Sequence, residues 1–203
     1  MSSDVLELLR AAGGYISGEK MAERLGVTRA AIWKKIVSLR EEGYDIASAP
    51  RSGYILRGVP DRLIEREIAR GLSTHIIGRS IFSYDTVNST NIVAKELAQK
   101  GAAEGTVVVA EQQGTGRGRL ERSFFSPYGK GIWVSIILRP AFLPQDAPKC
   151  TLLAAVAVAH AMERFGLRAE IKWPNDILHD GRKLVGILTE MSAEVDRVNY
   201  VVI

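Results

Sequence analysis

Residues 111–127 read Glu-Gln-Gln-Gly-Thr-Gly-Arg-Gly-Arg-Leu-Glu-Arg-Ser-Phe-Phe-Ser-Pro and lie between two apolar, strand-like runs, 107–110 and 132–138. Gly114, Gly116 and Gly118 alternate with Thr115, Arg117 and Arg119, and Arg122 follows. Without a Cβ, glycine lets a ligand approach the backbone, whose N–H groups can then converge on one acceptor. The arginine fork stays charged and matches phosphate or carboxylate oxygens. The pattern reads as an anion clamp on a mobile loop, with a solvated basic loop as the alternative. It is not a Walker A loop, because no Gly-Lys-Ser/Thr follows. It is not a full dinucleotide fingerprint either, because Arg119 stands at the third glycine position.

Two further clusters lie within reach of such a loop. Residues 85–91, Asp-Thr-Val-Asn-Ser-Thr-Asn, read as a polar turn entering a helix, suited to a neutral polar ligand or an anion and equally to a plain N-cap. Residues 172–188, KWPNDILHDGRKLVGIL, place Lys172 and Lys183 on strands either side of a turn holding Pro174, Asn175 and Asp176. Two lysines at one pocket suit a reaction that builds negative charge on oxygens, and Asp176 is a candidate Mg2+ ligand. A strand end and turn is the plainer reading. His75, His160 and His179 lack ligand spacing, and no nucleophile elbow is present.

The surrounding pattern alternates strands and helices. Strands are expected at 80–84, 106–110, 132–138, 170–173 and 197–203, and helices over 89–101 and 148–165, the second central because it is alanine-rich. Residues 177–179 and 184–191 should pair as a hairpin around Asp180-Gly181. Asp61 should open a surface helix over 62–70.

The N-terminal part differs. Helical spacing over 4–12 ends at Gly13-Gly14, a second helix covers 18–25, and Thr28 N-caps a third, TRAAIWKKIVSLREEG, ended by Gly43. Ile32, Ile36 and Leu39 form its buried stripe; Arg29, Ala30, Trp33 and Lys34 face outward. YDIASAPRSGYILRG then reads as a two-stranded wing with Arg51 at its tip. Six basic residues (Arg29, Lys34, Lys35, Arg40, Arg51, Arg57) stand against three acidic ones (Glu41, Glu42, Asp45) between Thr28 and Arg57. The arrangement is a winged helix-turn-helix with Thr28, Arg29, Ala30, Trp33, Lys34 and Arg51 as DNA-contact candidates. A protein-docking module of the same shape is the alternative.

The chain has 203 residues, 46% hydrophobic and 25% charged, with a net charge of +4, so any nucleic-acid surface must be local. Cys150 is the sole cysteine and reads as a packing residue in a reducing compartment. The longest apolar run, 152–159, falls far short of the about 20 residues a membrane span needs, and no signal peptide is visible. A cytoplasmic α+β protein is expected, divided into 1–60 and 61–203 at the Arg57-Gly58-Val59-Pro60 linker. The last strand stops with no turn or cap, which reads as a truncated fragment.

In their order and spacing, DTVNSTN, EQQGTGRGRLERSFFSP and KWPNDILHDGRKLVGIL resemble the biotin protein ligases. With a winged helix in front, the resemblance is to the bifunctional form, biotin operon repressor and ligase in one chain. It implies a mixed-sheet catalytic domain like that of class II aminoacyl-tRNA synthetases. Biotin and ATP would give biotinyl-5′-AMP, and biotin would pass to a lysine of the biotin carboxyl carrier protein of acetyl-CoA carboxylase. It implies Mg2+, operator DNA and a ligand-promoted homodimer. Ser89, Thr90, Asn91 and Gln113 would hold biotin; Gly116, Arg117, Gly118, Arg119 and Arg122 would enclose carboxylate and phosphate. Lys183 would stabilise developing charge, with Lys172, Asn175, Asp176 and Gly186 near the phosphates and metal. The chain departs from the family at Leu120-Glu121, where a basic or small pair is expected, and at Phe124, where Trp is usual. It also lacks the Gly-Ile-Gly-x-Asn segment and small β-domain expected after Ile203. A biotin-sensing repressor without ligase activity and a lipoate-type acyl-adenylating enzyme are the alternative readings.

Overall fold

The computed structural model describes residues 2–118 and 122–203. The chain divides into two compact units, Met1–Arg62 and Leu63–Ile203.

In the first unit, α1 (Ser2–Ala12), α2 (Gly18–Leu25) and α3 (Arg29–Glu41) precede a hairpin of β1 (Asp45–Ala49) and β2 (Gly53–Gly58). Local chemistry sets each boundary. Ser17 accepts a hydrogen bond from Lys20 N and Thr28 from Ala31 N, so α2 and α3 begin on capped N–H groups. At the far end of α3, Gly43 takes φ 96°; its N–H donates to Arg40 O and that of Tyr44 to Leu39 O, a Schellman closure. Gly26 closes α2 in the same way. Ile32, Ile36 and Leu39 are fully buried among Val5, Leu6, Leu9 and Met21. Each contributes about 1.5–3 kcal/mol by leaving water.

The wing is more than a hairpin. Ile16 exchanges two backbone hydrogen bonds with Tyr54, both 2.9 Å, adding a short third strand that the sequence reading did not include. Gly53 makes this possible: its φ is 99°, and a Cβ there would overlap the Ile16 carbonyl. Arg40, counted above among the basic groups of the DNA face, donates instead from Nε to Ile46 O at 2.8 Å and anchors β1.

In the second unit, α4 (Glu65–Arg70) starts four residues after Asp61. The chain before it is held by Leu63, whose N–H donates to the buried Glu111 carboxylate at 2.6 Å and whose carbonyl accepts from Ser83 Oγ. A five-stranded sheet follows in the order β3 (Ile81–Val87), β4 (Val107–Gln113), β5 (Trp133–Leu138), β10 (Val198–Val202), β9 (Glu190–Ala193). Only β3 and β4 are parallel, joined through α5 (Thr90–Gln99), whose Ala94 and Ala98 pack on Val108, Ile137 and Val202. The Arg139 guanidinium donates to Ala98 O, Ala102 O and Asn199 O, closing the C-terminal end of α5. Next come α6 (Pro148–Arg164) and a three-stranded antiparallel sheet of β6 (Glu170–Lys172), β7 (Asp176–His179) and β8 (Arg182–Gly186).

Three expectations change. Strand β3 continues to Val87, because Thr86 and Val87 stay in parallel register with Gln112 and Gln113, so 85–87 is strand and not turn. The run 184–191 does not form one strand: it breaks after Gly186, and Met191 pairs with Val201 in the larger sheet. Helix α6 is not central. Cys150, Ala155, Ala159 and Met162 are buried on one face, while Leu152, Leu153 and Val156 are exposed on the other. Its alanine content reflects close packing on β6 and β7, not burial all round. Cys150 is the packing residue expected, and burial pushes its thiol pKa up. Among the described residues no helix is long and apolar enough to cross a membrane.

Candidate functional site

The parallel register that sets Val87 beside Gln113 brings two of the sequence clusters together. Beyond Gln113 the chain leaves the sheet and returns as an irregular hairpin. Gln113 N donates to Ser126 O at 3.1 Å, Phe124 N to Gly116 O at 2.7 Å, and Gly118 N to Arg122 O at 2.7 Å. The outgoing arm is also stitched to 87–88, since Gly114 N donates to Val87 O and Thr115 N to Asn88 O. The base of the clamp is therefore built, not a loose loop. Gly116 is needed for a reason other than ligand approach: a Cβ there would overlap the Phe124 carbonyl and the Ser126 hydroxyl of the returning arm. Gly114 and Gly118 have room for one, at 3.8 Å and 3.4 Å from the nearest atoms. Arg117 and Arg122 are exposed; Arg119, with Leu120 and Glu121, lies outside the described residues.

Beneath this base runs a buried polar floor. The Gln113 carboxamide oxygen accepts from Thr90 N (2.9 Å) and from Thr90 Oγ1 (3.1 Å), and its Nε2 donates to Ser126 Oγ (3.0 Å). Ser135 Oγ lies 2.8 Å from Thr90 Oγ1 and 2.5 Å from Asn91 Oδ1. Asn91 Nδ2 donates to Leu188 O (3.3 Å) and Glu190 Oε2 (3.0 Å), and Lys95 donates to Glu190 Oε1 (2.7 Å). Burial pushes the Glu190 carboxyl up, but the hydrogen bonds from Lys95 and Asn91 and the charges of Lys95 and Arg117 outweigh it and hold its pKa below the ordinary value. Ser89 is 3% exposed at the N-cap of α5, and its hydroxyl makes no capping bond.

The third cluster reaches the same place through Phe124. In the β7–β8 hairpin, Asp180 and Gly181 both take positive φ, and this turn pairs Leu178 with Lys183. One residue further the register shifts: Ile177 pairs with Val185 and Asp176 with Gly186, leaving Leu184 as the extra residue of a β-bulge. Lys183 then reaches along its face to Asp176, with Nζ 2.7 Å from Oδ1. This is an ion pair by distance, but the ammonium approaches outside the hydrogen-bonding directions, and the buried Oδ1 has no directed hydrogen bond. Lys183 Nζ also lies 5.6 Å from the centre of the Phe124 ring, which meets Trp133 edge to face at 6.1 Å. A Cβ on Gly186 would sit 3.0 Å from both the Lys183 side chain and the Phe124 ring. Lys172 is exposed opposite Asp176 across β6 and β7, and Asn175 spends its amide on Ile187 O at 3.2 Å.

Thr90, Asn91 and Gln113 thus meet on one floor, and Lys183, Asp176 and Gly186 meet at Phe124. Among the described residues no three His, Cys, Asp or Glu side chains gather as a metal site. The Asp176 carboxylate, whose Oδ1 is paired with Lys183 but accepts no directed hydrogen bond, fits a single carboxylate ligand to a Mg2+ ion. The sequence reading missed Lys95, Ser126, Trp133, Ser135 and Glu190; no local pattern marks them, because each is recruited by a tertiary contact. In the first unit Thr28, Arg29, Ala30, Trp33, Lys34 and Arg51 are all exposed, Trp33 by 55%. The Thr28 hydroxyl is engaged in its cap, and Arg51 takes φ 61° in the turn between the wing strands.

Residues 83–203 match the Biotin/lipoate A/B protein ligase family. The chain belongs to that family. An HTH domain matches residues 2–55 in front of the Biotin/lipoate A/B protein ligase region. Among curated relatives, the Bifunctional ligase/repressor BirA of Bacillus subtilis (strain 168) is 48% identical over all of this chain and 63% of its own length. The protein of the same name from Escherichia coli (strain K12) is 33% identical over 96% of this chain and 60% of its own. The chain therefore spans less than two thirds of these relatives. Among solved structures, a biotin protein ligase from Leishmania major in complex with biotin aligns with a TM-score of 0.51 and 25% identity, over 61% of this chain and 54% of that one. The α+β fold, a helix-turn-helix unit ahead of a mixed-sheet ligase unit, is that of a Biotin/lipoate A/B protein ligase with an added HTH domain.

Proposed function

We propose that this chain forms biotinyl-5′-AMP from biotin and ATP, passes the biotin to a lysine of a biotin carboxyl carrier protein, and represses transcription through its first unit. The observation that carries the reading is the convergence of a hydrogen-bonding floor and a lysine–aspartate pair on one aromatic wall. Gln113, bonded to Thr90, donates to Ser126, whose hydroxyl donates to Phe124 O, and Lys183, paired with Asp176, lies 5.6 Å from the centre of the Phe124 ring.

In the first half-reaction a biotin carboxylate oxygen bonds to the α-phosphorus of ATP, and the bond from that phosphorus to the bridging oxygen breaks, releasing pyrophosphate. In the second, the acceptor lysine nitrogen bonds to the acyl carbon, the bond to the AMP oxygen breaks, and the amine proton passes to solvent. Ser89, Thr90, Asn91 and Gln113 hold the ring end of biotin, so that its carboxylate points toward Arg117, Gly118, Arg119 and Arg122. Lys183 neutralises charge growing on phosphate and carboxylate oxygens, where a fixed cation needs no reorganisation. Lys172, Asn175 and Gly186 border the same space. Asp176 would hold Mg2+, which would supply further charge neutralisation. Phe124 and Trp133 shield the anhydride from water.

Thr28, Arg29, Ala30, Trp33, Lys34 and Arg51 form the operator-facing surface of α3 and the wing. Ligand-promoted homodimerisation would set two such surfaces on two half-sites in the cytoplasm. The test mixes the 203-residue chain with biotin and Mg-ATP and follows pyrophosphate release and bound biotinyl-AMP by mass spectrometry. Adenylate formation is expected. Biotin bound without adenylate would leave a biotin-sensing repressor. Binding of lipoate in place of biotin would move the chain to the lipoate-activating branch of its family.

A further inference from the structure

Lys183 and Asp176 are paired in a way that is easy to undo. The ammonium lies 2.7 Å from Asp176 Oδ1, yet that oxygen accepts no directed hydrogen bond, so charge alone makes the contact. The two partners are not equally fixed. The Asp176 side chain is 22% exposed on β7, which is paired on both sides, while the Lys183 side chain is 43% exposed on a flexible four-carbon stem. The lysine is therefore the partner that moves. Its neighbours leave it room. In register, Asp176 lies between Lys172 on β6 and Gly186 on β8. Gly186 does not take positive φ, so its backbone does not call for glycine. A Cβ there would sit 3.0 Å from Lys183 Cε and from the Phe124 ring and 3.1 Å from Lys183 Nζ, so its absence keeps the end of the lysine clear. Lys172, directly opposite Asp176, leaves a cation beside the carboxylate when Lys183 departs. Phe124, 5.6 Å from Nζ at its ring centre, ties this position to the clamp through its N–H on Gly116 O.

We propose that Asp176, in the absence of nucleotide, is a positioning residue that holds Lys183 back from the biotin carboxylate, so that biotin enters by its ring end and the lysine's charge is kept for the reaction. The proposal rests on the biotin reading above and deepens it. A cation bonded to the substrate carboxylate from the start would tighten binding without speeding the chemical step. It raises the rate only by what it adds in the transition state. Asp176 acts here through Lys183, by giving the ammonium a resting partner that is not the substrate.

The test is a double-mutant cycle on the intact chain, read by isothermal titration calorimetry without nucleotide or Mg2+. The two ligands are biotin and biotinol, the neutral alcohol that keeps the rings and lacks the carboxylate. Asp176→Asn preserves shape, removes the resting partner and frees Lys183 for the ligand. Biotin affinity should rise about 10-fold, with biotinol affinity unchanged within about threefold. In a Lys183→Met background the same Asp176→Asn change should leave biotin affinity within about threefold, because no ammonium is there to release. Each alternative has its own signature. If Asp176 merely repels the biotin carboxylate, the gain will persist in the Lys183→Met background. If the pair only props up the fold, biotin and biotinol will weaken together in Asp176→Asn. Either result overturns the proposal, as would an Asp176→Asn chain that binds biotin no more tightly than the unsubstituted one. If the unsubstituted chain binds neither biotin nor biotinol, the underlying reading falls, and this one with it.

Discussion

In the first unit the deepest side chains are aliphatic throughout, Leu6, Leu9, Met21, Ile32, Ile36 and Leu39. In the second, Ser89, Thr90, Asn91, Glu111, Ser126 and Ser135 reach nearly the same depth, while Phe125, Ile132, Phe165 and Trp173 stand in solvent. Every buried polar residue described in the chain belongs to the second unit. Buried polar groups cost free energy unless they are hydrogen-bonded; Thr90, Asn91 and Ser135 are bonded to one another, Glu111 to Leu63 N, and Ser126 to Gln113 and Phe124 O. The first unit is organised to be stable, and the second gives up part of its apolar interior to hold a set of hydrogen-bonding directions. A departure from ordinary partition of this kind marks function.

The comparison can be broken at three places. The largest effect is expected from Leu39→Ala, which empties a fully buried position in an apolar core. It should destabilise the first unit by about 2–5 kcal/mol, seen as a lowered midpoint for loss of helical circular dichroism, with operator binding lost alongside and biotin affinity kept. A loss below 1 kcal/mol would mean that core is not close-packed. Next comes Gly116→Val, which forces a side chain into the Phe124 carbonyl at the hinge of the clamp. Adenylate formation should fall by about 100-fold while thermal unfolding of the first unit stays put. Unchanged turnover would show that the hairpin base does not position the reacting groups. The smallest effect belongs to Arg51→Ala at the wing turn. It should lower operator affinity and reduce the salt dependence of binding by about one unit of slope, as fluorescence anisotropy at several salt concentrations would read. An unaltered slope would take the wing off the DNA surface.

The same contrast explains what was legible in the sequence. Thr28 capping α3, Gly43 closing it and Asp180-Gly181 turning β7 into β8 are all decided within a few residues, and each was readable. The helical stripe of Ile32, Ile36 and Leu39 was readable for the same reason. Gly116 was singled out as a glycine that faces a ligand, and its need to clear the returning backbone went unread, because in sequence the two requirements look alike. Helix α6 was misplaced since composition reports how closely a helix can pack, not on how many sides. Glu190 was invisible. It joins Asn91 from 99 positions away, and its partner Lys95 looks like any lysine on a helix surface.

Leu184 is more than half exposed, makes no cross-strand pair, and would pass for a dispensable residue. Because Leu184 is left out of the ladder, Gly186, and not Val185, rests opposite Asp176. An in-frame loss of that single codon would leave every named side chain in the polypeptide. It would also leave Val185 facing Ile177 and Gly186 facing Asp176, since the ladder closes over the gap. What would go is the bend and the extra twist that a bulge gives its strand. At this position spelling is nearly free, and what the residue supplies is curvature.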